Sequence, residues 1–456
     1  MENNIGINEN DIVLLLDNFG LDSQLLWKSF LQTGYRCVFL VTSEESFLPE
    51  GVVSVYDSFH GDYQEGQERK QNPRYFNEVV VPKEWRISEN GKIFYLNEQR
   101  GKLHYAEPVS KRYVKAVDWY DKKGIKRITE YYNIFGEICS RKIYDSNEKS
   151  ISRSWFSATG EETIVQNYVT GTIILNDESK TRIFRSKIDF ICYFLMKMGY
   201  DKSKIFINSL SIPFFVSENL NAPFEKRDVL FWQEPVREEI PGNMQVILRN
   251  QSNRVTKIIV QKKESYDKLL SLGADKAMVH KLGYIYSFNR ENHHRPNALI
   301  CTNSDCIEHC REMIEALPEM QFHIAALTNM SHKLMNLASY ENVILYPNVQ
   351  TNIIDYLFGI SDYYLDINYG AEIVSAVRRA FFCNQLIFAF QKTVHNREFV
   401  ADEHIYMVEN FEKMVISIKE ILTNKNLLDG HLKRQHEVAM AVDNKTFIRI
   451  IEELFN

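Results

Sequence analysis

Basic charge is in short supply in this sequence: 54 Lys and Arg stand against 60 Asp and Glu, a formal net charge of −6. A general nucleic-acid binder shows the opposite balance, so no nucleic acid is expected. No run approaches the roughly 18 apolar residues that a spanning helix needs. The opening "MENNIGINEND" is polar and acidic, where an export signal is basic and then apolar. Seven cysteines, odd in number and thinly spread, fit a reducing compartment better than a disulfide framework. The expectation is a cytoplasmic chain, with peripheral attachment to the inner face of a membrane left open. Also missing are the G-x-G-x-x-G fingerprint, the P-loop, the G-x-S-x-G elbow and H-E-x-x-H. The turn after the first apolar run offers only Gly20.

What is there is ordinary globular material, 45% hydrophobic and 25% charged over 456 residues, enough for two or three cores. Residues 11–41 read as β-α-β, from "DIVLLLDNF" to "RCVFLVT", and 60–74 as loop. The texture then changes. Tyr120, Tyr132, Tyr144, Phe156 and Tyr168 recur every 12 residues, preceded by Trp119, Tyr131, Ile143, Trp155 and Asn167. Gly124, Gly136 and Gly160 keep the same register. One strand plus one turn per unit makes an antiparallel meander. Afterwards "SKIDFICYFLMKMG", "KIFINSL" and "DVLFWQE" read as a return to the first domain. Strands "KIIVQ", "NALIC", "FHIAAL", "NVILYP", "DYYLDI", "QLIFAF" and "IYMV" then alternate with helices at 264–272, 305–316, 331–338, 352–358, 371–383 and 410–422. Such alternation implies a parallel sheet. The expected architecture is α/β: a Rossmann-like domain over 1–76 and 176–250, a meander inserted at 77–175, and a second Rossmann-like domain over 251–456 ending in a C-terminal helix.

Chemistry is sparse. Cys306 and Cys310 fall at i, i+4 on an expected helix near Cys301 and His309, which is not the paired spacing of a zinc site. These read as buried intracellular thiols, His293 and His294 as solvated, and no metal or cofactor is expected. Trp232, Gln233 and Glu234 follow a strand and precede a Pro/Gly loop, where open α/β sheets place ligands. The stretch "DINYGAEIVSAVRRAFFCNQLIFAF", 366–390, reads as strand, Gly turn, helix and strand. A strand end opening onto a helix suits an anionic ligand, yet its only carboxylate beyond the first residue is Glu372, and the helix carries Arg378 and Arg379.

Two such domains resemble the GT-B glycosyltransferases. Retaining members have a glutamate at each end of that donor-side helix; alignment on "QLIFAF" puts Gly370 and Arg378 there, and Glu372 is followed by Ala380 where a second acid would stand. The phosphate-holding Arg and Lys of those enzymes are replaced by "CTNSDCIEHC". The order of "NDIVLLLDNFG", the aromatic meander, "DVLFWQEPVREEIPGNMQVIL", "KIIVQKKESYDKLLSLGADKAMVHKLGYIYSF" and "INYGAEIVSAVRRAFF" is similar to that of the glycosylation chaperones of the accessory Sec system O-GlcNAc transferase, over essentially the whole chain. The resemblance implies a non-catalytic subunit. It would stabilise a homologous catalytic glycosyltransferase that uses UDP-GlcNAc, and bind the serine-rich-repeat adhesin polypeptide. Acceptor contacts would come from Trp232, Gln233, Glu234, His280, Tyr369, Gly370 and Glu372 in an interdomain cleft. Partner contacts would come from Trp119, Tyr120, Tyr131, Tyr132, Tyr144, Trp155 and Phe156 of the meander. An active transferase with non-standard residues, or a β-platform scaffold, are the alternatives.

Overall fold

The computed structural model describes residues 12–59, 71–177, 180–221, 228–235 and 237–454. The polar start "MENNIGINEND" and all of the expected 60–74 loop except its last four residues lie outside these. Two compact units divide the chain: residues 1–260 with 268–280 and 454–456, and residues 261–267 with 281–453.

In the first unit, the run Ile12–Leu16 is buried at every position, as a strand covered on both faces must be. It lies inside a seven-stranded sheet. The spatial order is Val279–Lys281, Val255–Val260, Asp228–Trp232, Lys204–Ile207, Ile12–Leu16, Cys37–Val41 and Val52–Ser54. Chain order reverses direction beside Ile12–Leu16: Cys37–Val41 takes one side, and the strand that returns after the meander takes the other, both parallel.

This sheet holds more of the chain than the sequence predicts. The strand containing "KIIVQ" was expected in the second domain, but Val255–Val260 pairs in parallel with Asp228–Trp232. Periodicity marks a strand without naming its neighbour, and here a buried ion pair decides. Arg254 Nε and Nη2 donate to Asp228 Oδ2 and Oδ1 at 2.7 and 3.2 Å, with both side chains wholly buried. The remaining donors reach the carbonyls of Asp201 and Asn221, while Ser217 Oγ and Ile205 N donate to the carboxylate. The helix Lys263–Ser271 is where the chain passes from one unit to the other.

Ten antiparallel strands, from Trp85–Ile87 to Lys180–Phe184, follow one another in strict order and form the meander. Three of the five repeated pairs mark local breaks in pairing: register shifts fall between Trp119 and Tyr120, Tyr131 and Tyr132, and Trp155 and Phe156. The turns repeat as well. Asp121, Asn133 and Asp145 each accept two backbone N–H groups through one side-chain oxygen, and Gly124 and Gly136 close two of these turns at φ 78°. Glu148 takes the corresponding place at φ 59°, which is why the glycine repeat skips a unit.

The meander is not a bare layer. Its Trp155 stacks on Tyr56 of the α/β part at 4.3 Å. Arg153 donates to Ser46 Oγ at 3.2 Å, Ser140 Oγ at 2.7 Å and Glu44 Oε2 at 3.2 Å, with its guanidinium over the Tyr131 ring.

The second unit carries a six-stranded sheet, parallel throughout. The order is Val343–Tyr346, Gln321–Ala325, Asn297–Cys301, Tyr363–Asp366, Leu386–Phe390 and Ile405–Tyr406. Its core joins Ala298, Phe322, Leu365 and Phe388 to Met414, Ile418 and Leu432 of the closing helices. Three helices end the chain, Phe411–Thr423, Lys425–Val438 and Asn444–Glu453, where one was expected. Two expected helices are shorter than their patterns. That at 305–316 begins only at Cys310 and that at 371–383 spans Ala376–Phe382, because His309, Val374 and Ser375 just before them adopt left-handed backbone at φ 48°, 49° and 51°. Cys306 therefore does not share a helix with Cys310.

Removing one partner of the Arg254–Asp228 pair strands a charge in the core. Arg254→Met should destabilise the first unit by about 3–5 kcal/mol, and adding Asp228→Leu should recover part of that loss. Urea denaturation of the single and double variants checks this.

Candidate functional site

Polar side chains gather where the strands of the first sheet end. Asp17, Asn208 and Gln233 each follow an apolar strand at its carboxyl end, on either side of the point where chain order reverses, and such crevices are where open α/β sheets take ligands. They line a cavity of about 280 Å³ together with Ser23, Ser209 and Glu234. Asn208 holds the floor: its Oδ1 accepts from Asp17 N at 2.7 Å, and its Nδ2 donates to Ser23 Oγ and Gln233 Oε1, both at 3.0 Å. Glu234 Oε1 accepts from Ser209 Oγ at 2.7 Å and Leu210 N at 3.0 Å. None of the described residues lining the cavity is Lys or Arg. Burial pushes the Asp17 carboxyl above its ordinary value, against the pull of Lys187 outside the lining. The cavity is thus rich in acceptors, which suits hydroxyl donors and opposes a diphosphate.

Gln233 and Glu234 line this cavity at the carboxyl end of Asp228–Trp232, the position after an apolar strand that the sequence gives them. Trp232 does not: it is the buried last residue of an interior strand, 3% exposed, with only its Nε1 turned toward Glu234 Oε2 at 3.4 Å. His280 lies on the edge strand Val279–Lys281, outside the cavity lining. Asp17 and Asn208 were missed, although each is the first polar residue after its apolar run.

Tyr369, Gly370 and Glu372 belong to the second unit, beyond the strand Tyr363–Asp366. The organising residue there is His395, which the sequence reading passed over. Its Nδ1 faces the buried Asp366 Oδ1 at 2.5 Å, its Nε2 reaches Gly370 O at 2.7 Å, and its backbone N donates to Asp366 Oδ2 at 2.7 Å. The hydrogen bond to Asp366 raises the imidazole to about 9, so both ring nitrogens are donors at neutral pH. A Cβ at Gly370 would stand 2.9 Å from Asn368 Oδ1 and 3.1 Å from Ser304 Cβ, so the loop is tightly seated. Glu372 Oε1 accepts from Val377 N at 2.9 Å, Arg379 pairs with Asp355, and Arg378 lies over the Phe382 ring. Tyr369 is half exposed and donates to Glu308. Glu372 and Arg379, beside and on the helix Ala376–Phe382, are thus paired within the chain. Of the three thiols expected to be buried, Cys301 and Cys310 are, but Cys306 is exposed because it precedes the helix that begins at Cys310, and His309 stacks on Phe411 at 4.6 Å.

Strand register separates the two faces of the meander. Tyr131, Ser140, Trp155, Ile164 and Leu175 are directly opposed in succession, so they share one face, and Tyr56 and Ser46 cover it. On the other face Trp119, Ile128 and Ile143 are opposed in succession, and Ile143 is 41% exposed. Of the aromatics expected at a partner surface, Trp155, Tyr132 and Tyr144 are buried in this chain, and Tyr131 lies beneath Arg153. They hold the sheet rather than face outward. Trp119, Tyr120 and Phe156 remain half-buried, and Tyr120 lines a second cavity with Gln99, Asp118, Lys126 and Glu148.

Four family models match in succession: the GtfB N-terminal domain at 13–59, the GtfB middle domain at 85–185, the GtfB third domain at 187–272 and the GftB/GlyA-F C-terminal domain at 298–435. A Streptococcus gordonii protein, named UDP-N-acetylglucosamine–peptide N-acetylglucosaminyltransferase stabilizing protein GtfB, is 38% identical over 97% of this chain and 99% of its own length. The chain belongs to the GtfB family. A GtfB relative from Streptococcus agalactiae is 40% identical over 90% of this chain and 92% of its own. A chain from the crystal structure of a GtfA/B complex bound to UDP and GlcNAc superposes with a TM-score of 0.88, at 38% identity, covering 97% of this chain and all of that one. The pneumococcal O-GlcNAc transferase GtfA shares the fold alone, at 12% identity and a TM-score of 0.53 over 98% of this chain and all of that one. The architecture is therefore GT-B-like, and the GtfB relatives are named for stabilising a transferase rather than for the transfer. The third GtfB domain runs past residue 251, as the first sheet does. No helix among the described residues is long and apolar enough to cross a membrane.

His395 gives the second unit a pH dependence. Its folded value lies above the ordinary 6.5, so its contribution is fully present below pH 6.5 and disappears as pH rises through about 9. The loss across that window should reach about 3 kcal/mol at most, and denaturation at its two ends should show it in the native chain and not in His395→Gln.

Proposed function

We propose that this chain is the non-catalytic subunit of a protein O-GlcNAc transferase complex. It stabilises the catalytic glycosyltransferase and holds the Ser/Thr-rich adhesin polypeptide while GlcNAc is added, in the cytoplasm and before accessory Sec export. The observation that carries this reading is the cavity at the strand ends of the first sheet, lined by carboxylates, amides and hydroxyls with no Lys or Arg among its described lining residues. A nucleotide diphosphate brought there would meet like charge. Serine, threonine and sugar hydroxyls would donate to Asp17, Glu234 and the Ser209 hydroxyl. A repeat polypeptide has few apolar anchors, so its affinity must come from many such bonds along an extended chain. In the second unit Tyr369, Gly370 and Glu372 would add contacts from a loop that His395 holds in place.

For the catalytic partner, the open meander face offers Trp119, Ile128 and Ile143, flanked by the Arg141–Glu130 ion pair at 2.7 Å. Aromatic and aliphatic side chains ringed by charge are the usual make-up of a subunit contact. Any attachment at the membrane would come through the assembled complex.

Calorimetric titration of the isolated chain tests acceptor binding. An unmodified Ser/Thr-repeat polypeptide should bind and UDP-GlcNAc should not; micromolar UDP-GlcNAc binding, about −8 kcal/mol, would return an active transferase to consideration. Asp17→Asn with Glu234→Gln should weaken the polypeptide about tenfold or more, since hydrogen bonds to charged groups contribute about 1.5–3 kcal/mol each. Separately, Ile143→Glu should lower the yield of complex on co-purification with the transferase while leaving the melting temperature of the isolated chain unchanged.

A further inference from the structure

Far along the second unit, at the end of its sheet, Glu403, His404 and His431 converge. Among the described residues this is the one group of three His, Cys, Asp or Glu side chains whose ligand atoms lie within 4.8 Å of each other. Glu403 and His404 end the turn before the edge strand Ile405–Tyr406, and His431 sits on the helix Lys425–Val438. His431 Nδ1 is 2.8 Å from Glu403 Oε1 and 2.8 Å from His404 Nε2, and those two atoms are 3.6 Å apart. Bonds of about 2.0–2.1 Å in tetrahedral array put neighbouring ligand atoms about 3.3 Å apart. The triangle is close to that already.

Hydrogen bonding alone does not account for the arrangement. A ring nitrogen carries one proton or one lone pair and serves one strong partner. His431 Nδ1 has three within 2.9 Å: the Glu403 carboxylate, His404 Nε2 and Arg434 Nη2. If it is protonated it faces the guanidinium badly, and if it is not it faces the carboxylate badly. His404 adds a second oddity. Its ring is wholly buried, packed 4.7 Å from Phe388 and 4.9 Å from His431, and its Nδ1 has no hydrogen-bond partner among the described residues. A fixed imidazole is thus pointed by its Nε2 at the shared centre.

We propose that Glu403 Oε1, His404 Nε2 and His431 Nδ1 form a site for a divalent transition ion, with zinc the best match. Two imidazoles and one carboxylate are a familiar zinc set with a fourth position open to water. The solvent-facing side supplies both water and an entry path, since Glu403 is 42% exposed. Arg434 is the competing cation: it is 45% exposed and bonds to Glu403. Its long side chain can move to the second carboxylate oxygen when an ion arrives. The ion would clip the helix Lys425–Val438 to the edge of the sheet, a structural role separate from acceptor or partner contact. Nothing in the sequence announces it, because His431 follows His404 by 27 residues.

The test uses the full chain stripped with a chelator, titrated with zinc chloride by calorimetry and with Co(II) by visible absorption. One zinc per chain, a tetrahedral-type Co(II) spectrum and a zinc-dependent rise in melting temperature are expected. His431→Ala should lose affinity by more than the about tenfold to hundredfold that outer partners alone control, and should show no zinc-dependent melting shift. Arg434→Gln, which removes the competing charge and leaves the ligands, should bind more tightly than the native chain. Absence of binding to the native chain at millimolar zinc, or unchanged affinity in His431→Ala, would overturn the proposal.

Discussion

One buried guanidinium ties the first unit together. Arg153 comes from the meander, is 3% exposed, and reaches across to Glu44 and Ser46 of the α/β part. A charge so placed is tolerable only if every donor has a partner and the carboxylate it meets is held in turn. Tyr168 and Lys142 do the latter, both directed at Glu44 Oε2. Trp155 on Tyr56 then fills the adjoining volume. The meander face that touches the α/β part, and therefore the face left open for another molecule, follows from this contact.

The two strand-end sites illustrate how a GT-B-like frame carries a different task. Crevices at carboxyl strand ends persist, because topology makes them. What changes is the charge inside. The first unit's crevice keeps acceptors, with no Lys or Arg among its described lining residues. The second satisfies Glu372, Arg379 and His395 within the chain. Here their internal bonds hold the loop at Gly370 in place.

Much of this is legible in the sequence. The 12-residue aromatic repeat specified the meander because strand length and turn length are local properties. Gln233 and Glu234 were legible because polar residues after an apolar strand mark a sheet end. Sheet membership was not. "KIIVQ" has the same local pattern in either domain, and only Arg254 meeting Asp228 places it. Nor was the inside of the meander. Alternation says that Trp155 and Phe156 lie on different faces, but which face is covered depends on Tyr56, about a hundred residues away. His395 acquires its meaning from Asp366 by a contact that no spacing rule anticipates.

The long interval between the first strand and its neighbour has a consequence for synthesis. Ile12–Leu16 pairs on one side with Cys37–Val41, but its other edge waits for Lys204–Ile207. Until then the ribosome has released an apolar strand with an unpaired edge, the kind of surface that recruits other chains. Every strand of the meander meanwhile pairs with the one just made, so this insertion assembles from local contacts while the sheet around it is still incomplete. The insertion thus brings both a fast-forming platform and a prolonged exposure of the first strand, and a nascent chain of this kind is most vulnerable to aggregation between completion of residue 41 and emergence of residue 204.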